Sequence, residues 1–223
     1  MVRSTSFLLR VGNARTTAVA YGDGGSRVAL LLAPGAGAPQ THPWMVSVAG
    51  ALSDRGIDVF TFNFLYAEEK RRLPDKSDVL EATWRAAIDA VRARDDVARG
   101  RLFIGGKSMG GRIATQVAAR GDVAVAGLVL LGYPLHPPGK PQQLRAAHLS
   151  SVRPPMLFVQ GSRDPFGTPA ELAPIVEKLA TSARLFVVEG GDHSLAVPKR
   201  SGQSLETVIA RVADQVARFM DSR

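Results

Sequence analysis

Short apolar runs rich in Val, Leu, Ile and Phe recur along the chain at Arg27 to Ala33, Asp58 to Phe64, Leu102 to Gly105, Ala126 to Leu131, Met156 to Gln160 and Arg184 to Val188. Each is too short for an ordinary globular helix and apolar with little alternation, the pattern of a strand buried on both faces of a sheet. Earlier strands are expected around Phe7 to Val11 and at Thr17 to Tyr21. Between the runs, Trp44 to Arg55, Ser77 to Arg94, Met109 to Arg120, Pro169 to Ala180 and Ser204 to Met220 carry apolar residues at helical spacing. In the last of these, Leu205, Val208, Ile209, Val212, Val216 and Phe219 form one stripe, which reads as core packing rather than as a partner surface. Strands alternating with amphipathic helices predict an α/β fold, with a mostly parallel central sheet flanked by helices on both faces.

Gly and Pro cluster at Pro34 to Pro39, Gly132 to Pro141 and Gly190 to Gly191, each directly after an apolar strand. In open α/β sheets ligands gather beyond the carboxyl ends of the strands, so these loops are where chemistry is to be sought. The 223 residues suit one α/β domain spanning 1–223, with no internal repeat and no long linker.

Composition narrows the chemistry. Hydrophobic residues make up 45% and charged residues 22%, ordinary globular usage. The absence of cysteine removes disulfides, thiolate metal sites, iron–sulfur clusters and cysteine nucleophiles. Near the start, the apolar run Phe7-Leu8-Leu9 ends at Arg10, too brief for a signal-peptide core or a membrane span, so a cytoplasmic location without membrane insertion is expected. The net charge of +8 favours anionic partners in general. However, the basic residues are scattered apart from Lys70-Arg71-Arg72, and no stretch interleaves them with aromatics, so nucleic acid is not the expected partner.

The sharpest local signal is Gly106-Lys107-Ser108-Met109-Gly110, a match to G-x-S-x-G between a strand and a helix. That setting presents a nucleophilic serine on a strained turn, where flanking side chains would crowd the backbone. The bland alternative is a glycine-rich strand-to-helix turn with an idle serine. A phosphate-binding loop is excluded by spacing, because Arg101 stands where that motif needs its first glycine. Gly35-Ala36-Gly37 likewise fails as a dinucleotide fingerprint, with Gln40 in place of the third glycine. No cofactor and no metal are expected.

A serine hydroxyl needs a base, and His193, following the strand Arg184 to Val188 and preceding the last helix, is the candidate. The base in turn needs a carboxylate to fix its tautomer. Asp164, just after the strand Met156 to Gln160, gives the chain order Ser, Asp, His. Asp192 ranks below it, since it would have to turn back on its own backbone, and Asp164 before Pro165 also fits a simple turn. For the oxyanion formed on attack, the amide of Met109 and one from the loop Pro34-Gly35-Ala36-Gly37, that of Ala36, are the expected donors.

With these landmarks in place the chain resembles the α/β-hydrolase superfamily over nearly its full length. Gly105-Gly106-Lys107-Ser108-Met109-Gly110-Gly111-Arg112, Gly132-Tyr133-Pro134-Leu135-His136-Pro137-Pro138-Gly139-Lys140 and Phe158-Val159-Gln160-Gly161-Ser162-Arg163-Asp164-Pro165-Phe166-Gly167 look like the small capless branch related to dienelactone hydrolases. That branch includes testis-expressed hydrolase-like proteins and a subunit of a chromatin acetyltransferase complex. The resemblance implies a serine-hydrolase scaffold. Two departures stand out: Pro34 precedes Gly35 where many members have a histidine, and Ser108 stands where dienelactone hydrolases proper use cysteine.

About 20 residues separate Leu131 from Met156, too few for a helical lid. An open site suits a small acyl substrate, with Tyr133 and His136 as candidate pocket walls and Arg71 or Arg72 as candidate partners for an anionic group. The expected activity is hydrolysis of a small carboxylic ester or thioester through an acyl-serine. The alternative is a hydrolase-fold protein that binds or scaffolds without turnover.

Overall fold

The computed structural model describes residues 3–94, 97, 100–179 and 183–222. Eight strands form one sheet: β1 (Ser4–Val11), β2 (Ala14–Tyr21), β3 (Val28–Ala33), β4 (Asp58–Phe62), β5 (Arg101–Lys107), β6 (Gly127–Leu131), β7 (Met156–Gly161) and β8 (Arg184–Val188). Their spatial order is β1-β2-β4-β3-β5-β6-β7-β8. The first two form an antiparallel hairpin that pairs antiparallel with β4, and every later pairing is parallel.

The helices are α1 (Pro43–Ser53), α2 (Leu65–Glu68), α3 (Ser77–Arg92), α4 (Met109–Ala119), α5 (Pro169–Glu177) and α6 (Leu205–Asp221). Alternate residues of the central strands point to opposite faces, so one sequence feeds two cores. On one face Leu31, Ile104, Leu130 and Phe158 meet α3, α4 and α5. On the other, Leu30, Phe103, Val129 and Leu157 meet α1 and α6, the latter through the stripe of Val208, Ile209, Val212, Val216 and Phe219. Leu205, the first residue expected in that stripe, is 37% exposed at the helix start.

The strands from β3 to β7 are buried along their length except at Arg101 and Lys107, the two ends of β5, as near-continuous apolar runs should be. The last strand departs from that expectation. As the sheet's edge it has one neighbour, and Val187 is 37% exposed. The run expected to reach Phe64 leaves the sheet after Phe62, because Asn63 and Phe64 turn into the short α2, which the hydrophobic pattern did not predict. The fourth amphipathic stretch, expected to reach Ala180, is helical to Glu177, and Ala180 lies outside the described residues.

Because β4 lies beside β3 on one side and β6 lies beside β5 on the other, the chain departs in opposite directions from the adjacent strands β3 and β5. This switch point opens a crevice above the carboxyl ends of those two strands. Between β6 and β7 there is a 3-10 turn at Ala147–Ser151 and no cap domain, so nothing inserted at that point covers the crevice.

Candidate active site

Ser108 sits at the tip of β5 with φ 49° and ψ −117°, a region that costs a non-glycine residue about 1–3 kcal/mol. Its backbone is held from both sides. The amide donates to Leu131 O at 3.0 Å, extending the ladder to β6, and its carbonyl accepts from Arg112 N at 3.0 Å, opening α4. The turn is possible because the helix and the strand tip lie almost against β3. A Cβ on Gly110 would stand 2.4 Å from Ala33 O, and one on Gly106 would stand 2.2 Å from the same oxygen.

The side chains meet across three loops. His193 Nε2 lies 2.8 Å from Ser108 Oγ, and His193 Nδ1 lies 2.8 Å from Asp164 Oδ2. The Asp164 carboxylate is fully buried. Its Oδ1 accepts from Phe166 N at 2.8 Å and its Oδ2 also accepts from Gln160 Nε2 at 2.9 Å, so its burial is compensated by three donors. The Phe166 ring stacks on the imidazole at a centroid distance of 4.1 Å. Asp192 is used elsewhere, as its Oδ1 accepts from Ser194 N and Ala196 N and shapes the turn that carries the histidine.

That turn has two further supports. Lys107 Nζ donates to His193 O at 2.9 Å and lies over the Trp44 ring, while Trp44 Nε1 donates to Ser194 O at 2.8 Å. Burial pushes the Lys107 ammonium below its usual range, with Asp164 and Asp192 working in the opposite direction.

Ala36 and Met109 face the same cavity as Ser108. Ala36 belongs to a β-turn closed by Ala38 N and Gly35 O, with Gly37 at φ 74° in the third position, the place where a type II turn demands positive φ. Among the described residues neither the Ala36 nor the Met109 amide has an acceptor, leaving both free for an oxyanion. The loop Pro34-Gly35-Ala36-Gly37 and the residues after it are braced by three further hydrogen bonds. Gly37 N donates to Tyr66 Oη, Gln40 N to Asn63 Oδ1, and Thr61 Oγ1 to Gln40 Oε1.

The cavity over Ser108 is about 530 Å³ and is lined in part by Met45, Leu80, Met109, Phe166, Lys107, Arg112 and Arg145. None of the four side chains expected to bind substrate is among its lining residues. Tyr133 is 1% exposed, its hydroxyl donating to Arg145 O at 2.7 Å, and burial pushes its pKa up to about 12. His136 is 4% exposed and held between Pro137 O and Glu171 Oε1. Both follow a strand end, but the chain turns them inward. Arg71 is engaged by Glu69 and Asp75 of its own loop, and with Arg72 it borders a separate depression beside Glu68.

Conversely, Gln160, Lys107, Trp44, Arg112 and Arg145 are at the site without having been singled out for it. Gln160 carried a usable signal, a polar residue at the buried end of an apolar strand. Lys107 and Arg112 lay within and just after the nucleophile motif.

The family described as alpha/beta hydrolase domain matches residues 26–221 of the chain. The chain belongs to it. Among solved structures this α/β-hydrolase is similar to a dienelactone hydrolase from Anabaena variabilis, with 22% identity and a TM-score of 0.79 over 97% of this chain and 96% of the other. It is also similar to an α/β serine hydrolase without a lid from Xanthomonas campestris, with 21% identity and a TM-score of 0.75 over 98% and 95% of the two chains. An α/β serine hydrolase homologue from Coxiella burnetii shares 18% identity at a TM-score of 0.74 over 97% of each chain. The fold of this α/β-hydrolase is thus that of capless members of the superfamily. Among its described residues no helix is long and apolar enough to cross a membrane.

Proposed function

We propose that this α/β-hydrolase cleaves small carboxylic esters or thioesters through an acyl-Ser108 intermediate. The observation that carries the reading is the unbroken relay from Ser108 Oγ through His193 to Asp164, 2.8 Å at each step. With Asp164 accepting the Nδ1 proton, the Nε2 lone pair faces the serine hydroxyl. His193 takes that proton as Oγ bonds to the substrate carbonyl carbon. The carbonyl oxygen becomes an oxyanion between the amides of Ala36 and Met109. The imidazolium returns the proton to the leaving alkoxide or thiolate as the acyl–leaving-group bond breaks. Water, deprotonated by His193, then attacks the acyl-serine and releases the carboxylic acid and free Ser108. The uncapped cavity of about 530 Å³ fits a small acyl group better than a long chain.

The test is intact-mass analysis after treatment with a fluorophosphonate. A single adduct on the wild type and none on Ser108→Ala is the expected result. Failure of the folded wild type to react, or persistent labelling of Ser108→Ala, overturns the proposal.

A further inference from the structure

The cavity over Ser108 holds more positive charge than the proposed chemistry uses. Arg112 lies in the first turn of α4, its amide donating to the carbonyl of Ser108, and both residues line the cavity. Arg145 reaches the cavity from the segment between β6 and β7, where its backbone is fixed by Arg145 N donating to Leu135 O and by the hydroxyl of buried Tyr133. Both side chains are half-buried, and among the described residues neither forms an ion pair or a side-chain hydrogen bond. One carboxylate, Asp75, also lines the cavity, and it is already engaged by Arg71 Nη2 at 2.6 Å and Tyr66 N at 2.9 Å.

Two guanidinium groups sharing a cavity whose one lining carboxylate is paired elsewhere repel each other, and partial burial sharpens the repulsion. Burial disfavours the charge on Arg112, and the charge of Arg145 disfavours it further. Packing does not require such an arrangement, since apolar side chains would fill the space without the penalty. An oxyanion from outside relieves it, because each guanidinium offers a planar fork of donors suited to carboxylate or phosphate.

We propose that Arg112 and Arg145 form an anion subsite that selects esters whose acyl chain ends in an oxyanion, a carboxylate or a phosphate-like group. The proposal rests on acyl transfer at Ser108 and names the substrate class for that site. The apolar wall of Met45, Leu80 and Phe166 accommodates the short hydrocarbon between the scissile carbonyl and the charged end. The side chains expected from sequence to hold an anion, Arg71 and Arg72, are replaced in that role by two arginines reached from other elements.

The experiment compares kcat/KM, followed by proton release, for ethyl butyrate, monoethyl succinate and the ethyl ester of 3-phosphonopropionate, which differ at the distal end of the acyl chain. The wild type should favour an anionic ester over ethyl butyrate by at least about 10-fold, the scale of a charge-assisted bidentate contact. The preferred anion identifies carboxylate or phosphate as the ligand. In Arg145→Gln that ratio should fall toward one, Arg145→Lys should retain part of it, and Arg145→Glu should bring it below one. Arg112→Gln should act in the same direction. Because Arg112 lies in a helix, the loop variant keeps the test decisive if Arg112→Gln fails to fold.

A wild-type ratio near one for both anions overturns the subsite, as does a preference that survives both single substitutions. If the wild type neither cleaves these esters nor takes the fluorophosphonate, acyl transfer at Ser108 fails instead. The subsite is then read by calorimetric titration with succinate and with 3-phosphonopropionate. Binding of either that is lost in Arg145→Gln supports it, and no binding by the wild type overturns it.

Discussion

Gln160 Nε2 donates to Asp164 Oδ2, the same carboxylate oxygen that faces His193, at 2.9 Å. The amide group also binds Gly167 O at 2.7 Å, and its oxygen accepts from Tyr133 N at 2.9 Å. One buried side chain therefore ties together the loop after β6, the loop after β7 and the carboxylate that pairs with His193. Gln160→Met keeps the volume and removes every one of these bonds. Leaving buried polar groups unpaired costs about 1–3 kcal/mol, or roughly 2–12 °C in Tm for a chain of this size. Because Asp164 also loses a donor, kcat should fall by about 10-fold or more with KM little changed. Thermal unfolding and steady-state kinetics on one neutral ester check both.

The two aspartates near the histidine make opposite predictions. Asp164→Asn replaces an acceptor with an amide that no longer favours the required tautomer, and kcat should fall by about 10⁴-fold while the fold survives. Asp192→Ala removes the cap on Ser194 N and Ala196 N. It should loosen the histidine turn and reduce kcat by about 10-fold at most. Comparable losses from both substitutions would contradict the division of roles.

The central strands were legible because burial on both faces leaves unbroken apolar runs, and Ser108, Asp164 and His193, which the structure brings into contact, could be picked out because each follows such a run. What escaped was side-chain direction in the loops. Tyr133 and His136 stand in the right loop, yet hydrogen bonds to Arg145 O and Glu171 turn them inward, and periodicity says nothing of irregular backbone. The two cavity-lining arginines escaped for a related reason. A tight basic cluster at Lys70-Arg71-Arg72 draws attention in sequence, whereas Arg112 and Arg145 are 33 positions apart and meet only when α4 and the segment after β6 pack around the cavity.

Gly110 tests the claim that the nucleophile turn depends on close backbone approach. A Cβ there would stand 2.4 Å from Ala33 O and 2.6 Å from Pro34 O, both backbone atoms that cannot swing aside. Gly110→Ala should cost about 3 kcal/mol, lowering Tm by roughly 6–12 °C. It should also shift the start of the loop carrying Ala36, so activity should fall even at temperatures where the variant is folded. Gly121→Ala is the control for backbone strain alone, because Gly121 has φ 75° with nothing within 4 Å of its added Cβ. It should destabilise by about 1–2 kcal/mol and leave kcat unchanged.

Acid should reach the loop carrying Ala36 through Glu68. Burial alone would raise this carboxyl, yet hydrogen bonds from Thr17 and Asn63, with Thr16 adding another, hold it below its usual value of 4.5. Asn63 Nδ2 donates to Glu68 at 2.7 Å, and through its Oδ1 the same amide fixes Gln40 N at the end of the Ala36 loop. A carboxyl whose folded pKa is depressed contributes stability that is fully present above the unfolded value and is lost as pH falls through the folded one. Stability should accordingly decline as pH drops below about 4.5, and Glu68→Gln should lessen that decline by starting from a lower plateau near neutral pH. Urea unfolding of both proteins from pH 3 to 7 measures the difference. Parallel curves would show that Glu68 is not linked to folding, whereas convergence at low pH would show that its ionised form contributes to stability.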